Sequence, residues 1–268
     1  GLAQGFDFEG GIQVGVLKTD NVLLAPPPDE MDDTIFQVSP FLNLAYNNQR
    51  IDASLGYRFD WYDYSDLDTS SEFHNYDASL AVALVQDTLF VDGGASRSQS
   101  VTDPDVVIPP EALPGFGTVG DRDTYYYGSR FDKTLGRSVT LNASYRHEDV
   151  SYDEADFSDV QNIQDNVNES ARFEIDNYTR EEGLTWAARY EWEETEYELS
   201  LPWEYQKATA ELGFWVNGKT RVFASGGQES AWDDPVDSSL QDDFWEAGFA
   251  YRNGDKLDAE FAVGERAY

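Results

Sequence analysis

Residues 47–66, NNQRIDASLGYRFDWYDYSD, alternate apolar and polar side chains almost without a break. Ile51, Ala53, Leu55, Tyr57, Phe59 and Trp61 fall on one side, and Arg50, Asp52, Ser54, Gly56, Arg58 and Asp60 on the other. A period of two over that length is a β-strand with one apolar and one polar face. The pattern leaves open which face meets water. It recurs along the chain and predicts strands at 6–18, 34–47, 50–64, 73–86, 89–101, 123–135, 138–152, 168–179, 184–197, 203–216, 219–232, 240–252 and 255–268. No segment carries a 3.6-residue apolar stripe of helical length.

These strands are far longer than the roughly five or six residues common in soluble sheets. A tilted strand crossing a bilayer needs about 9–11 residues for the apolar core, plus interfacial ends. The connections point the same way. Tight turns are expected at 47–49, 86–88, 135–137, 180–183, 216–219 and 253–255, several with Asn-Gly or related chemistry. Between them come longer acidic or Pro-rich segments near 19–33, 65–72, 102–122, 153–167, 198–202 and 233–239. Short turns on one side and long loops on the other are the asymmetry of an outer-membrane barrel. Aromatic residues make up 15% of a chain whose mean hydropathy is only −0.57, as alternating membrane strands with aromatic girdles require. Trp61, Tyr64, Trp192 and Trp203 are the expected girdle near the long-loop ends, with Trp215 and Tyr251 near the short-turn ends.

The expected fold is therefore all-β: one antiparallel transmembrane up-and-down β-barrel domain over 1–268, in a bacterial outer membrane. Thirteen strands are readable, whereas bacterial single-chain barrels have even numbers. The expectation is a larger, even-numbered barrel completed by chain beyond Tyr268. The first residues, GLAQGFDFEG, lack the basic and apolar segments of a signal peptide, as a processed chain would.

With 52 acidic against 18 basic side chains, the formal net charge is −34. Such a surface has no cationic footprint for phosphates, so nucleic acid is excluded as a partner. The absence of cysteine removes disulfides and thiol chemistry. If the apolar alternants meet lipid, the opposite residues line the lumen: Arg50, Asp52, Arg58, Asp60, Asp77, Asp92, Arg130, Arg146, Arg172, Glu174, Arg189, Glu191, Glu211, Arg252 and Glu260. Mixed signs on neighbouring strands can rigidify the wall as ion-pair ladders, or set up a transverse field that orders polar solutes. His74 and His147 stand near outer strand ends, where a rim hydrolase would need a base beside Ser or a carboxylate. Acidic segments 148–169 and 233–243 offer oxygen ligands for Ca²⁺ but match no EF-hand spacing. Gly93-Gly94 and Gly226-Gly227 lie inside strands, where bulges or bends are expected.

KTDNVLL, an acidic spacer, DDTIFQVSPFLNLAYNNQRIDASLGYRFDWYDYS and NYDASLAVALVQDTLFVDGGASRS follow in that order. Thr19-Asp20-Asn21, Val38-Ser39-Pro40, the aromatic strand at 57–64 and Leu89-Phe90-Val91-Asp92 carry the likeness. Over roughly residues 6–100 the chain resembles β-barrel porin families of Gram-negative outer membranes found with exopolysaccharide and PEP-CTERM export systems. The resemblance implies location and fold and supplies no catalytic residues. The expected function is passage or export of polar solutes, in contact with outer-membrane lipid, lipopolysaccharide and export or surface-complex proteins. The alternative is an assembly barrel with a closed lumen that anchors a surface polymer. No enzymatic activity and no cofactor are expected.

Overall fold

The computed structural model describes residues 5–21, 31–101, 119–153, 164–178, 182–233, 240–252 and 258–266. Among them there is no helix. The strands are β1 (Gly5–Thr19), β2 (Asp33–Asn47), β3 (Ile51–Tyr64), β4 (Thr69–Val85), β5 (Leu89–Val101), β6 (Val119–Leu135), β7 (Val139–Tyr152), β8 (Asn166–Asp176), β9 (Gly183–Tyr197), β10 (Trp203–Asn217), β11 (Thr220–Asp233), β12 (Leu240–Arg252) and β13 (Asp258–Arg266). They form one antiparallel up-and-down sheet of 13 strands, ordered β1 to β13 as in the sequence. The sheet is not closed: among the described residues β1 and β13 are its edges. Contacts divide the chain into two units, one centred on β1–β4 and the other on β9–β13.

Register rows show why alternation specifies this sheet. In the first unit Phe8, Leu44, Leu55 and Ala78 stand side by side on β1 to β4, as do Phe6, Tyr46, Ala53 and Leu80. In the second, Leu184, Phe214, Val222, Phe249 and Phe261 form one row, and Trp186, Leu212, Ala224, Ala247 and Val263 the next. A slip of one residue would move every such side chain to the other face. These apolar rows are open, not buried: Ile12 is 70% exposed, Val14 72% and Leu212 62%. The buried residues lie on the opposite face. Ile35, Tyr62 and Tyr64, packed with Leu17, Leu67 and Phe73, form a small cluster there.

Two expectations about connections need correction. The segment 65–72 is not a long loop: residues 65–68 turn directly into β4, which starts at Thr69. Residues 69–72, Thr-Ser-Ser-Glu, offer no apolar alternants, so their strand character cannot be read from hydrophobicity. Asp33, buried at the start of β2, fixes the turn by accepting the amides of Asp66 at 3.0 Å and Leu67 at 3.3 Å. Residues 198–202 are likewise a brief link. Loop length is thus sorted less strictly by side than the sequence implies. The loops near 19–33, 102–122, 153–167 and 233–239, and the turns at 180–183 and 253–255, lie wholly or largely outside the described residues.

The glycine pair at 226–227 is no bulge, because β11 keeps unbroken register with both neighbours through it. The shift falls instead between Trp215 and Asn217 on β10. Gly94 is explained by close approach: a Cβ there would meet the Tyr126 ring at 2.6 Å and the Ala78 carbonyl at 2.5 Å.

Asparagines tie the hairpins. Asn48 Oδ1 accepts the amides of Arg50 and Ile51 at 2.7 and 2.8 Å, and Asn217 Oδ1 those of Lys219 and Thr220 at 2.9 Å each. Asn177, 5% exposed, prolongs the β8–β9 ladder by side chain as well as backbone. Its amide nitrogen donates to the Leu184 carbonyl at 3.0 Å, and its oxygen accepts the Trp186 amide at 2.6 Å. Replacing Asn177 by Ala leaves both groups without these partners. The expected cost is about 2 kcal/mol, read as an earlier midpoint in denaturant unfolding.

Candidate functional site

The polar face of β8–β11 carries a ladder of opposite charges. Glu174 on β8, Arg189 on β9, Glu211 on β10 and Arg221 on β11 alternate in sign across adjacent strands. Arg189 Nε donates to Glu174 at 2.7 Å, and its guanidinium lies 3.9 Å from Glu211. Arg221 donates to Glu211 and, through Nε, to Thr185 Oγ1 at 3.0 Å. Arg172 bridges Glu174 at 3.3 Å and Glu191 at 3.5 Å. A second row, Glu191, Lys207 and Glu229, repeats the alternation nearer the other strand ends, with Lys207 Nζ 3.4 Å from Glu229.

Gly213 makes the first ladder possible. A Cβ at this position would sit 2.6 Å from Arg221 Nε and 2.7 Å from Thr185 Oγ1. The missing side chain is the slot through which the guanidinium crosses β10. Tyr178, just past the end of β8, lies under both cations, 4.9 Å from the Arg221 guanidinium carbon and 5.6 Å from that of Arg189. Burial pushes the Tyr178 phenol up, and the neighbouring Glu211 carboxylate adds to this. The ring therefore stays neutral under the cations. Tyr178, Arg189, Glu211 and Arg221 line a cavity of about 540 Å³ with Trp215, Arg252 and Glu260.

Most of the sequence-predicted lumen residues share the polar face. Arg172, Glu174, Arg189, Glu191 and Glu211 are drawn into the ladder, and Arg252 and Glu260 join its cavity. In the first unit Arg58 donates to Asp60 at 2.8 Å, Asp52 accepts from Asn47 at 2.8 Å, and Asp77 pairs with Gly56. Asp92 falls on that face by alternation. Arg130 reaches Asp132 at 2.8 Å with its guanidinium over Phe90, and Arg146 reaches Glu148 at 3.0 Å. Arg50 is a correction: it sits in the β2–β3 turn, outside the strand faces. Lys207, Thr185, Tyr178 and Arg221 escape the sequence reading. Arg221 follows a turn and precedes alternants of both kinds, so only its parity with Ser225 and Glu229 marks it.

Three of the six girdle assignments also change. Trp61, Trp192 and Tyr251 lie on the apolar face, where Trp192 Nε1 donates to Glu204 at 3.1 Å. Tyr64 is 2% exposed in the cluster opposite. Trp203 and Trp215 share the polar face with Lys207 and Glu211. Proximity to a strand end put all three in the girdle, and parity takes them out.

The apolar face is not uniform. It is continuous over residues 6–16, 36–46 and 51–61, then over 184–192 and 208–216. Beyond these runs the same face turns polar. Glu194 pairs with Glu204 and Gln206 with Ser230, and Gln228 donates to Asp243 at 3.0 Å. In the first unit the polar part holds Arg97, bound to Asp123 and 3.6 Å from Asp121, with Tyr76 donating to Asp123 at 3.2 Å. His74 lies in this part of the first unit, and His147 has its partners in the second. His74 Nδ1 is 2.8 Å from the Tyr57 hydroxyl, and His147 Nδ1 is 2.9 Å from a Glu169 oxygen that also accepts from Tyr145. Among the described residues no group of three or more His, Asp or Glu could hold a metal ion. The acidic segments 148–169 and 233–243 lie partly outside those residues. Compared with known proteins, the chain matches no family model and no curated relative.

Proposed function

We propose that the chain is the wall of a bacterial outer-membrane β-barrel through which polar solutes pass or are exported. One observation carries this reading: large apolar side chains stand exposed in register rows on one face, while charged groups bind one another on the other. In water an apolar surface of that extent would drive association. In a bilayer it is the solvated side, and runs of about ten residues match what a tilted strand needs to cross the hydrocarbon. Trp61, Trp192 and Tyr251 then sit at the ends of the apolar runs, where amphipathic rings are favoured. Lipid and lipopolysaccharide are the expected contacts of this face. The edges of β1 and β13 each need a partner strand there, since open sheet edges do not occur in hydrocarbon.

The opposite face becomes a lumen with a two-signed field, suited to uncharged polar solutes rather than to ions of one sign. Exopolysaccharide secretion is the setting that the resemblance implies. The test is reconstitution of the full chain in planar lipid bilayers. Stepwise conductance with weak selectivity between K⁺ and Cl⁻ is expected, and complete absence of conductance would sink the open-pore reading.

A further inference from the structure

We infer that the polar face of β10 is a track for an uncharged saccharide chain, an inference that rests on the open-barrel reading. Along this face stand Trp203, Tyr205, Lys207, Thr209, Glu211 and Trp215. Aromatic rings occupy both ends and hydrogen-bonding groups the middle. Trp203 and Tyr205 are half-buried, with centroids 5.9 Å apart and planes within 7°. Trp215 lines the cavity of about 540 Å³ described above. A second recess, of about 420 Å³, has Lys207, Thr209 and Glu211 in its wall. The two recesses share Arg189 and Glu211, so they are contiguous along the strand. From Trp203 to Trp215 the track extends about 40 Å.

Chemistry selects the ligand. A folded membrane wall has no need for indoles on its wet side, where they are neither in lipid nor in a core. A pyranose ring offers a flat CH face that covers an indole, with hydroxyls at its rim. Each hydroxyl can donate to a carboxylate and accept from a guanidinium or ammonium, and this face alternates those groups. The charges are matched: Arg172 and Arg189 are held by Glu174, Lys207 by Glu229 and Arg221 by Glu211. Each of these four cations is held by a carboxylate of the same face, so the track fits a neutral chain. A nucleic acid strand, which would also stack, is repelled by a chain of net charge −34.

The test uses the full chain in planar bilayers with maltohexaose and, separately, a hexamer of galacturonate. Maltohexaose is expected to cause concentration-dependent transient closures. Their apparent affinity should fall about tenfold or more in Trp215→Ala and in the Trp203→Ala/Tyr205→Ala pair. Trp215→Phe, which keeps a ring, should retain most of the effect. Unaltered affinity in both Ala variants overturns the track while leaving the pore intact. Closure by the galacturonate hexamer alone overturns the assignment to a neutral chain. Absence of conductance overturns the pore, and tryptophan fluorescence of the detergent-folded protein then decides the track: no quenching by maltohexaose overturns it. Heat-modifiable mobility on SDS gels verifies that each variant is folded.

Discussion

Arginine in place of Leu212 should weaken folding into lipid vesicles by about 2–4 kcal/mol, whereas arginine in place of Gln206 should cost less than about 1 kcal/mol. The residues share a strand and a face and differ only in position along it. Leu212 is 62% exposed in a row with Trp186, Ala224, Ala247 and Val263, all apolar. Gln206 lies beside Trp192 and Ser230, where the face has turned polar. In water the two substitutions would be near-equivalent surface changes, each within about 0.5 kcal/mol. In a bilayer one guanidinium is forced toward the hydrocarbon centre, and the other reaches headgroups. Urea titration of vesicle-folded protein measures both. Equal, small effects would mean that lipid does not cover this face.

The second large effect concerns Glu211. It is the carboxylate shared by Arg221, which donates to it, and Arg189, 3.9 Å away, and the Glu211 and Arg221 side chains are only 12% and 16% exposed. Glu211→Ala removes the charge that separates two guanidiniums converging on Tyr178. The expected loss is about 2–3 kcal/mol, below the 3–5 kcal/mol of a fully buried pair because water reaches the ladder. Adding Arg221→Met should recover more than half of it, since the stranded charge goes too. A double-mutant cycle by denaturant unfolding reads the coupling. Additive losses would show that the ladder is not an energetic unit. Gly213→Leu should act like a mild Glu211→Ala, by closing the slot that Arg221 occupies.

The strands were legible because their apolar residues repeat every second position. At 51–61 the expected and observed faces coincide residue by residue. Pairing across the tight turns followed from brief connections, since antiparallel neighbours need little chain to turn. Legibility failed where both faces are polar. The starts of β4 at Thr69 and β6 at Val119 precede the expected ones because TSSE and VGDRD have no apolar alternants to count. It failed again for the aromatics. Tyr64, Trp203 and Trp215 occur near strand ends, as girdle residues do, yet alternation from Trp61 or Leu212 already puts them on the polar side. Composition suggested a belt, and only parity tells which of its expected members share the apolar face. The ladder itself could be expected from charge signs. Its closure through Gly213 onto Tyr178 could not, because it depends on one absent side chain and on a tyrosine outside any strand.

β9 continues past its last apolar alternant, Trp192, with carboxylates on both faces. On β9 this adds Glu193, Glu194, Thr195, Glu196 and Tyr197, about 17 Å of strand. In a membrane such a hydrated extension is a collar that holds the link at 198–202 clear of the lipid headgroups. In the proposed outer membrane, neighbouring lipopolysaccharide sugars would then lie against a rigid, acidic sheet instead of a loop. The link becomes a site for grafting: an epitope or peptide inserted there would alter neither the lipid-facing rows nor the ladder, and would be displayed above the sugar core.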